Sequence, residues 1–295
     1  MTAAGDTILV TCAAGRTGRA VTGATAARGG RVRALVRRPE AAAAARAAGA
    51  AEVATGDLES DDDMQAAMVG VARVYHVAPP FSTAEATIGR RVIAAARAAG
   101  VRHFVFQSVY HAQCTRMAHH RRKLEVEAAL IESGLPYTIL APAMYMQNLA
   151  VEWPEILATG RYRRPYSPQV PMAMVDLADL GEAAARVLTG EDYVGGSFEL
   201  SSAPCLSHAG MAAILSTILG RTITAEARSI EDWAEKARAR FGPAAIEIYA
   251  TMCRHYDEHG LPGGNARVLA MILGREPTGF AAFAKRFVAE RLGAG

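Results

Sequence analysis

Over roughly the first 140 residues, short β-type runs alternate with helical patterns, and that alternation restricts the chain to one class of architecture. Thr7–Thr11, Arg31–Val36, Glu52–Thr55, Arg73–Val77, His103–Gln107 and Tyr137–Leu140 read as strands. Thr17–Arg28, Glu40–Ala48, Asp61–Met68, Ala84–Ala99 and Arg116–Ser133 read as the helices between them, with stops at Gly29-Gly30, Gly49 and Gly100. Strand–helix–strand repetition builds a parallel sheet, because each crossover must run over a face of it. The later strands VYHV, FVFQ and YTIL are nearly continuous apolar runs, as burial on both faces demands. After residue 150 the pattern changes. Val170–Val175 and Ser197–Ser201 still read as strands around a helix over Asp176–Leu188, whereas Ser207–Leu219, Glu231–Arg240, Pro243–His259 and Phe280–Leu292 read as helices. The expectation is a doubly wound α/β sheet with a smaller, mainly helical lobe. Residues 1–150 would form the sheet domain, with 170–202 returning to it, and 203–295 with 151–169 would form the lobe.

Composition narrows the function classes. The chain has 295 residues, 51% of them hydrophobic, enough to bury a core without disulfides or metal. Its 32 basic and 29 acidic residues leave a net charge of +3, too balanced for an obligate nucleic-acid or membrane-surface binder. Cys12, Cys114, Cys205 and Cys253 lie far apart with no C-x-x-C, which argues against a zinc ribbon and for a reducing compartment. Nothing reads as a signal peptide. The uncharged stretch Ser133–Val151 is broken by Pro136 and Pro142, so it reads as strand plus loop rather than a span. The expectations are a cytoplasmic protein, monomer or homodimer, with a small-molecule substrate and no metal.

The first strand runs into Cys12-Ala13-Ala14-Gly15-Arg16-Thr17-Gly18. A strand, a small-residue turn and a helix N-terminus form a phosphate site, since backbone N–H groups and the positive end of the helix dipole point at the ligand. Gly15 would let the pyrophosphate approach and Gly18 would let the helix pack close; the expected fold is therefore of the Rossmann type. Cys12 stands where a third glycine would. If that position needs φ > 0, the side chain costs about 1–2 kcal/mol. The second strand ends Val36-Arg37-Arg38-Pro39, with no carboxylate before Glu40 to read a ribose 2′-hydroxyl. Paired guanidiniums favour a 2′-phosphate, so NADP(H) is expected over NAD(H). Asp57 and Leu58, after the third strand, would meet the adenine edge, with Asp57 equally readable as a helix cap.

The lysines are scarce. Only Lys123, Lys236 and Lys285 occur, so Lys123 stands alone in the first 235 residues of an arginine-rich chain of bacterial composition. A compact ammonium at one position suggests a role that arginine fills poorly.

ILVTCAAGRTGRAV, LVRRPE, GDLESDDDMQAAMVGVARVYHVAPP, KLEVEAALIESGLPYTILAPAMYMQNL and VDLADLGEAAARVL together resemble the NmrA-like group of atypical short-chain dehydrogenases/reductases. The resemblance covers most of the chain and is strongest over residues 7–150. It implies a two-lobed protein holding NAD(P)H in its cleft. The cofactor residues it implies are Cys12, Gly15, Arg16, Thr17, Gly18, Arg37, Arg38, Asp57, Leu58, Val77, Ala78, Pro79, Lys123, Pro142 and Met144. The group includes NADPH-dependent quinone, dye and isoflavonoid-type reductases, and also nucleotide-sensing regulators that perform no chemistry. Dehydrogenases of the wider superfamily use a Ser and a Tyr-x-x-x-Lys. Here Ser108 ends the fifth strand, Lys123 follows on the next helix, and the tyrosine position carries His119. Positions i and i+4 share a helix face, so His119 and Lys123 can both face the cofactor. His119 is the expected proton donor, against its alternative as part of a solvated basic face with His120, Arg121 and Arg122; Tyr110, His111 and Tyr145 are rivals. Phe81, Tyr145, Asn148 and Tyr166 are the expected substrate wall. Met146, Trp153 and Met252 are weaker candidates, with Trp153 and Met252 reading better as core. The resulting expectation is an NADPH-dependent oxidoreductase passing hydride to a quinone-like, aromatic or enone/carbonyl molecule. The alternatives are a sensing regulator and a non-redox isomerase or cyclase on the same fold.

Overall fold

In the computed structural model, which describes residues 6–239 and 241–293, seven parallel strands form the central sheet. Arg240, the last residue of the expected helix Glu231–Arg240, lies outside the described residues. The first half runs β1 (Thr7–Val10), α1 (Arg16–Ala27), β2 (Arg31–Val36), α2 (Ala42–Ala47), β3 (Glu52–Thr55), α3 (Asp61–Met68), β4 (Val71–His76), α4 (Glu85–Ala98), β5 (His103–Gln107), α5 (Ala118–Glu132) and β6 (Tyr137–Pro142). The second half runs β7 (Met144–Tyr145), α6 (Leu149–Thr159), β8 (Arg161–Arg164), β9 (Met174–Val175), α7 (Leu177–Thr189), β10 (Gly196–Leu200), α8 (His208–Leu219), β11 (Thr224–Ala227), α9 (Ile230–Ala237), α10 (Pro243–His259), α11 (Arg267–Leu273) and α12 (Phe280–Leu292).

The sheet order is β10-β6-β5-β4-β1-β2-β3, every neighbour pair parallel. The chain winds outward from β1 through β2 and β3, then returns to β4 on the other side of β1. A crevice opens at such a reversal, beyond the carboxyl ends of β1 and β4. Thr11 pins the two strands there. Its Oγ1 donates to the Val77 carbonyl and accepts from the Val77 N–H, each at 2.9 Å.

Apolar strands force helices onto both faces. On one face α1, α7 and α11 cover the sheet through Val21, Leu180, Val187 and Ile272. On the other, α3, α4 and α5 cover it through Met64, Val92, Val126 and Leu130. Gly181 lets α7 lie against α1, since a Cβ there would stand 2.9 Å from the Ala20 carbonyl oxygen. A third apolar cluster, holding Trp153, Met211, Tyr256 and Phe283, fills the lobe of α6, α8, α10 and α12.

Some local readings need correction. The expected strand Val170–Val175 shrinks to β9, whose two residues pair with β7, while Met172 makes only isolated bridges. The expected helix Glu40–Ala48 is a 3-10 turn at Pro39–Ala41 followed by the short α2. The loop expected before Val151 already holds the start of α6, which carries Pro154 inside it. Strands β8 and β11, which pair in parallel, and helix α11 had no sequence counterpart. No helix among the described residues is long and apolar enough to cross a membrane.

Candidate active site

One cleft of about 1140 Å³ lies at the sheet reversal and extends beneath the helical lobe. Every residue expected to hold the cofactor lines it, as do Ser108, Tyr110, His119, Phe81, Tyr145, Asn148, Tyr166 and Met252. Trp153 and Met146 do not. Trp153 is buried with its ring edge-on to Phe287 at 5.1 Å, and Met146 is 2% exposed in the lobe core.

The turn between β1 and α1 shapes the inner end. Gly15 is the N-cap of α1, no side chain caps that helix, and no acidic residue stands in its first turn. Its first N–H groups are therefore left for a ligand. Gly18 is compulsory by space: a Cβ there would lie 2.4 Å from the Cys12 carbonyl oxygen and 2.6 Å from the Ala13 Cα. Cys12 has φ 47°, the left-handed region, so its side chain is carried at a cost of about 1–2 kcal/mol. Burial pushes its thiol up to about 11, which keeps it protonated and unsuited to redox chemistry at neutral pH. Arg16 reaches from α1 across to the lobe, bonding the Gln147 carbonyl and the Asn148 side-chain oxygen, each at 3.2 Å. Thus Asn148 Oδ1 is already engaged.

Arg37 and Arg38 leave the end of β2 exposed, and neither side chain makes an ion pair or hydrogen bond with another described residue. Asp57 does not cap α3. Ser60 does, accepting from the Asp63 N–H, while the Asp57 side chain accepts from the Glu59 N–H and the Asp57 N–H donates to Asp63 Oδ2.

The deepest polar group is one the sequence reading missed. Glu85, the first residue of α4, is 1% exposed. Lys123 Nζ lies 2.6 Å from its Oε1 and His119 Nδ1 lies 3.3 Å from its Oε2. Lys123 also donates to the Gln107 carbonyl at 2.8 Å and lies over the Phe106 ring. Burial alone would raise the Glu85 carboxyl, but the Lys123 ammonium and His119 outweigh it and hold the group down at about 2. His120 does not join a solvated basic face. It is fully buried, with Nδ1 3.0 Å from the His111 carbonyl, and desolvation pushes it down to about 3.

The other expected donors are otherwise engaged. Ser108 Oγ donates to Glu127, whose carboxyl burial raises. Tyr145 accepts from the Gln107 amide at 2.8 Å, and Gln107 in turn accepts from Tyr75 at 2.7 Å. Tyr110 is 4% exposed and its phenol is raised by burial. His111 Nε2 faces Glu199 at 3.8 Å and does not line the cleft.

The outer wall joins the loop after β4 to helices α9 and α10. Phe81, with φ 57°, sets its ring against His119 at 5.5 Å and Tyr249 at 5.6 Å, and Trp233 stacks on Tyr249 at 4.1 Å. Behind this aromatic surface Arg164 donates to Glu152 at 3.1 Å, Tyr249 at 3.0 Å and Tyr166 at 3.4 Å. Arg228 joins Glu152 to Glu155. This buried network fixes the Tyr166 and Tyr249 hydroxyls. The described residues hold no cluster of three or more groups fit to bind a metal ion.

The profile of the NmrA-like family matches residues 4–283. A (4-alkanoyl-5-oxo-2,5-dihydrofuran-3-yl)methyl phosphate reductase of Streptomyces griseus is 33% identical over 244 residues, which is 82% of this chain and 84% of that protein. An NAD(P)H azoreductase of Xenophilus azovorans is 28% identical over 81% of this chain and 83% of its own. An NADPH-dependent quinone oxidoreductase of Escherichia coli, solved with NADPH, superposes with a TM-score of 0.83 at 25% identity, over 95% of this chain and 99% of that one.

Proposed function

The chain belongs to the NmrA-like family and is an NAD(P)H-dependent oxidoreductase, and from that premise we propose that it uses NADPH to reduce a flat conjugated carbonyl compound such as a quinone or an enone. The observation that carries this reading is the juxtaposition in one cleft of the α1 N-terminus, two unpaired guanidiniums and the buried Lys123–Glu85–His119 group beneath an aromatic wall. The residues fit the dinucleotide. The N–H groups after Gly15 would hold the pyrophosphate, Arg37 and Arg38 would hold the 2′-phosphate, and Lys123 would keep one of its three N–H donors for the ribose of the nicotinamide. Leu58, which lines the cleft, would border the adenine, and Val77, Ala78, Pro79, Pro142 and Met144, which line it too, would border the remainder.

When bound, the reduced nicotinamide supplies one hydride, two electrons and a hydrogen nucleus. A quinone or enone that accepts it becomes an oxyanion and needs one proton. Protonated His119 gives that proton from Nε2 and recovers it from solvent. Phe81, Tyr249 and Trp233 hold the planar acceptor by ring contact and keep water away from it. Tyr166 and Met144 complete the wall. The relatives support this class of acceptor: one reduces a dihydrofuranone and one a quinone, both conjugated carbonyl rings. The chain's four cysteines are all free, which fits a reducing, cytoplasmic setting.

Calorimetry with NADPH and NADH, followed by NADPH consumption with a panel of quinones and enones, tests the reading. Tighter binding of NADPH and its oxidation by at least one acceptor are expected. Arg37→Ala with Arg38→Ala should weaken NADPH by about 1.5–3 kcal/mol per lost charged contact and leave NADH nearly unchanged. NADPH binding without turnover would instead favour a sensor, and turnover without cofactor consumption an isomerase or cyclase.

A further inference from the structure

Glu85 has no counterpart among the residues that the sequence points to, yet it is the group around which the inner cleft is organised. Its two carboxylate oxygens have different neighbours. Oε1 faces Lys123 Nζ at 2.6 Å and Oε2 faces His119 Nδ1 at 3.3 Å; both are charge contacts, and among the described residues neither oxygen nor His119 Nδ1 has a better-aligned hydrogen-bond partner. Glu85 stands on α4 and both partners on α5, one turn apart, so a single carboxylate bridges two helices at the floor of the cleft. The remaining groups around His119 are the Phe81 edge and the His120 ring, whose Nδ1 is turned to the His111 carbonyl. Among the described residues, Glu85 is the carboxylate that faces the His119 ring, at Nδ1.

We propose that Glu85 is a positioning residue for proton transfer: it holds the His119 proton on Nδ1, leaving Nε2 as the ring atom that exchanges a proton with the substrate, and it fixes Lys123 beside it. The inference rests on the hydride-transfer reading given above. An ionised carboxylate can only accept, and an ammonium can only donate. Oε1 is therefore committed to Lys123, and Oε2 requires N–H on the near side of the imidazole. Cationic His119 carries protons on both nitrogens. Loss of the Nε2 proton to the substrate oxyanion leaves the neutral ring with its remaining proton on Nδ1, still facing Glu85. Reprotonation from water at Nε2 closes the cycle. Charge balances as well, since Lys123 and Glu85 cancel and the cleft floor gains or loses only the His119 charge.

The decisive variant is Glu85→Gln. An amide keeps the shape but has one oxygen and one NH2. Lys123 claims the oxygen, so the NH2 turns to His119 Nδ1 and makes that nitrogen an acceptor. The neutral ring must then carry its proton on Nε2, the tautomer that cannot take the productive part. Nitrogen-15 NMR of the imidazole rings in the full chain reads this directly, with His119→Gln identifying the resonance. The native protein should show the Nδ1–H tautomer of neutral His119 and Glu85→Gln the Nε2–H tautomer. In steady-state assays with NADPH and a quinone, Glu85→Gln should lower kcat by about 10- to 100-fold, part of what a positioned proton donor contributes, with KM for NADPH within about twofold. Glu85→Asp, which keeps the charge, should restore the native tautomer and part of kcat. An Nε2–H tautomer in the native chain overturns the proposal, as does native kcat in a folded Glu85→Gln protein. The tautomer is measured without substrate, so a failure to oxidise NADPH would sink the hydride-transfer reading while the NMR result still decides the role of Glu85.

Discussion

At the residue scale, the two glycines of the first turn do different work. Gly15 sits in extended backbone, where its value is access to the helix N-terminus. Gly18 is fixed by contact, because a methyl group would overlap the backbone of Cys12 and Ala13, which cannot move without moving β1. Gly18→Ala should therefore cost at least about 1–3 kcal/mol of stability, the usual penalty for overpacking, and abolish dinucleotide binding together with it. Chemical denaturation and calorimetry on the same sample check both, and an alanine variant that binds NADPH normally would contradict the packing argument. Residue patterns exposed part of the site. Lysine scarcity pointed to Lys123, and spacing put His119 one turn before it. Glu85 escaped because its signal is ordinary: an acidic residue in a helix's first turn is what any helix dipole favours. Its meaning comes only from α5, which is far away in sequence. Gln107 left a fainter mark, the polar end of the run FVFQ, and its carbonyl and side chain both prove structural.

At the element scale, most strands of the sheet were legible because parallel strands buried on both faces are written as short, nearly continuous apolar runs, which the helical segments and turn residues between them set off. The missed elements are those whose sequence lacks that contrast. β8 reads RYRR and β11 reads TAEA, polar pieces that pair with each other at the edge of the lobe. α6 hides behind Pro154, and α11 has only seven residues. The geometry of the site depends on one helix pair, α4 against α5. Gly89 on α4 faces Val126 on α5, where an added Cβ would stand 2.5 and 2.6 Å from the two methyl groups. Gly89→Ala gains up to about 1 kcal/mol of helix propensity but must push the helices apart or force Val126 off its rotamer, at about 1–3 kcal/mol. A net loss is expected, with reduced turnover because Glu85 and Lys123 are carried on the two separated helices. Adding Val126→Ala removes the obstructing methyls. The double variant should then be more stable than the sum of the two single changes by at least about 1 kcal/mol. Strict additivity in a double-mutant cycle would mean that the two residues do not set the helix spacing.

At the scale of the whole molecule, the balance of buried titratable groups fixes how the protein responds to acid. Buried histidines are folded in their neutral form chiefly because burial penalises the cation, and His208, held well below its usual value, is one of them. His76 is pushed down to about 3, His103 to about 4 and His120 to about 3. Each packs into a different place: His76 beside Thr11 at the sheet reversal, His103 against Thr138 in the sheet, His120 beneath the loop at His111. In the unfolded chain these rings take up protons near pH 6.5, whereas the folded chain refuses them until pH 3 to 4. The unfolded state therefore binds more protons throughout that interval, and stability falls as the pH falls below 6.5. Glu85 acts in the same direction further down. Its carboxyl is depressed to about 2, so the stability it contributes is complete above about 4.5 and is lost as the pH drops through 2. The two effects are separable by pH, because between 6.5 and 4.5 the buried histidines dominate, opposed by Glu127, whose raised carboxyl takes up a proton in the folded chain first. Stability should be level above pH 7 and decline from there. At pH 5.5 the loss should be roughly 1 kcal/mol for each buried ring, less whatever partial solvent access and the Glu127 carboxyl return. Urea denaturation at half-unit steps from pH 8 to pH 4.5 measures it. A midpoint that stays constant over that range would mean that the rings are solvated well enough to titrate normally, and that the packing around β1, β4 and β5 is looser than their burial implies.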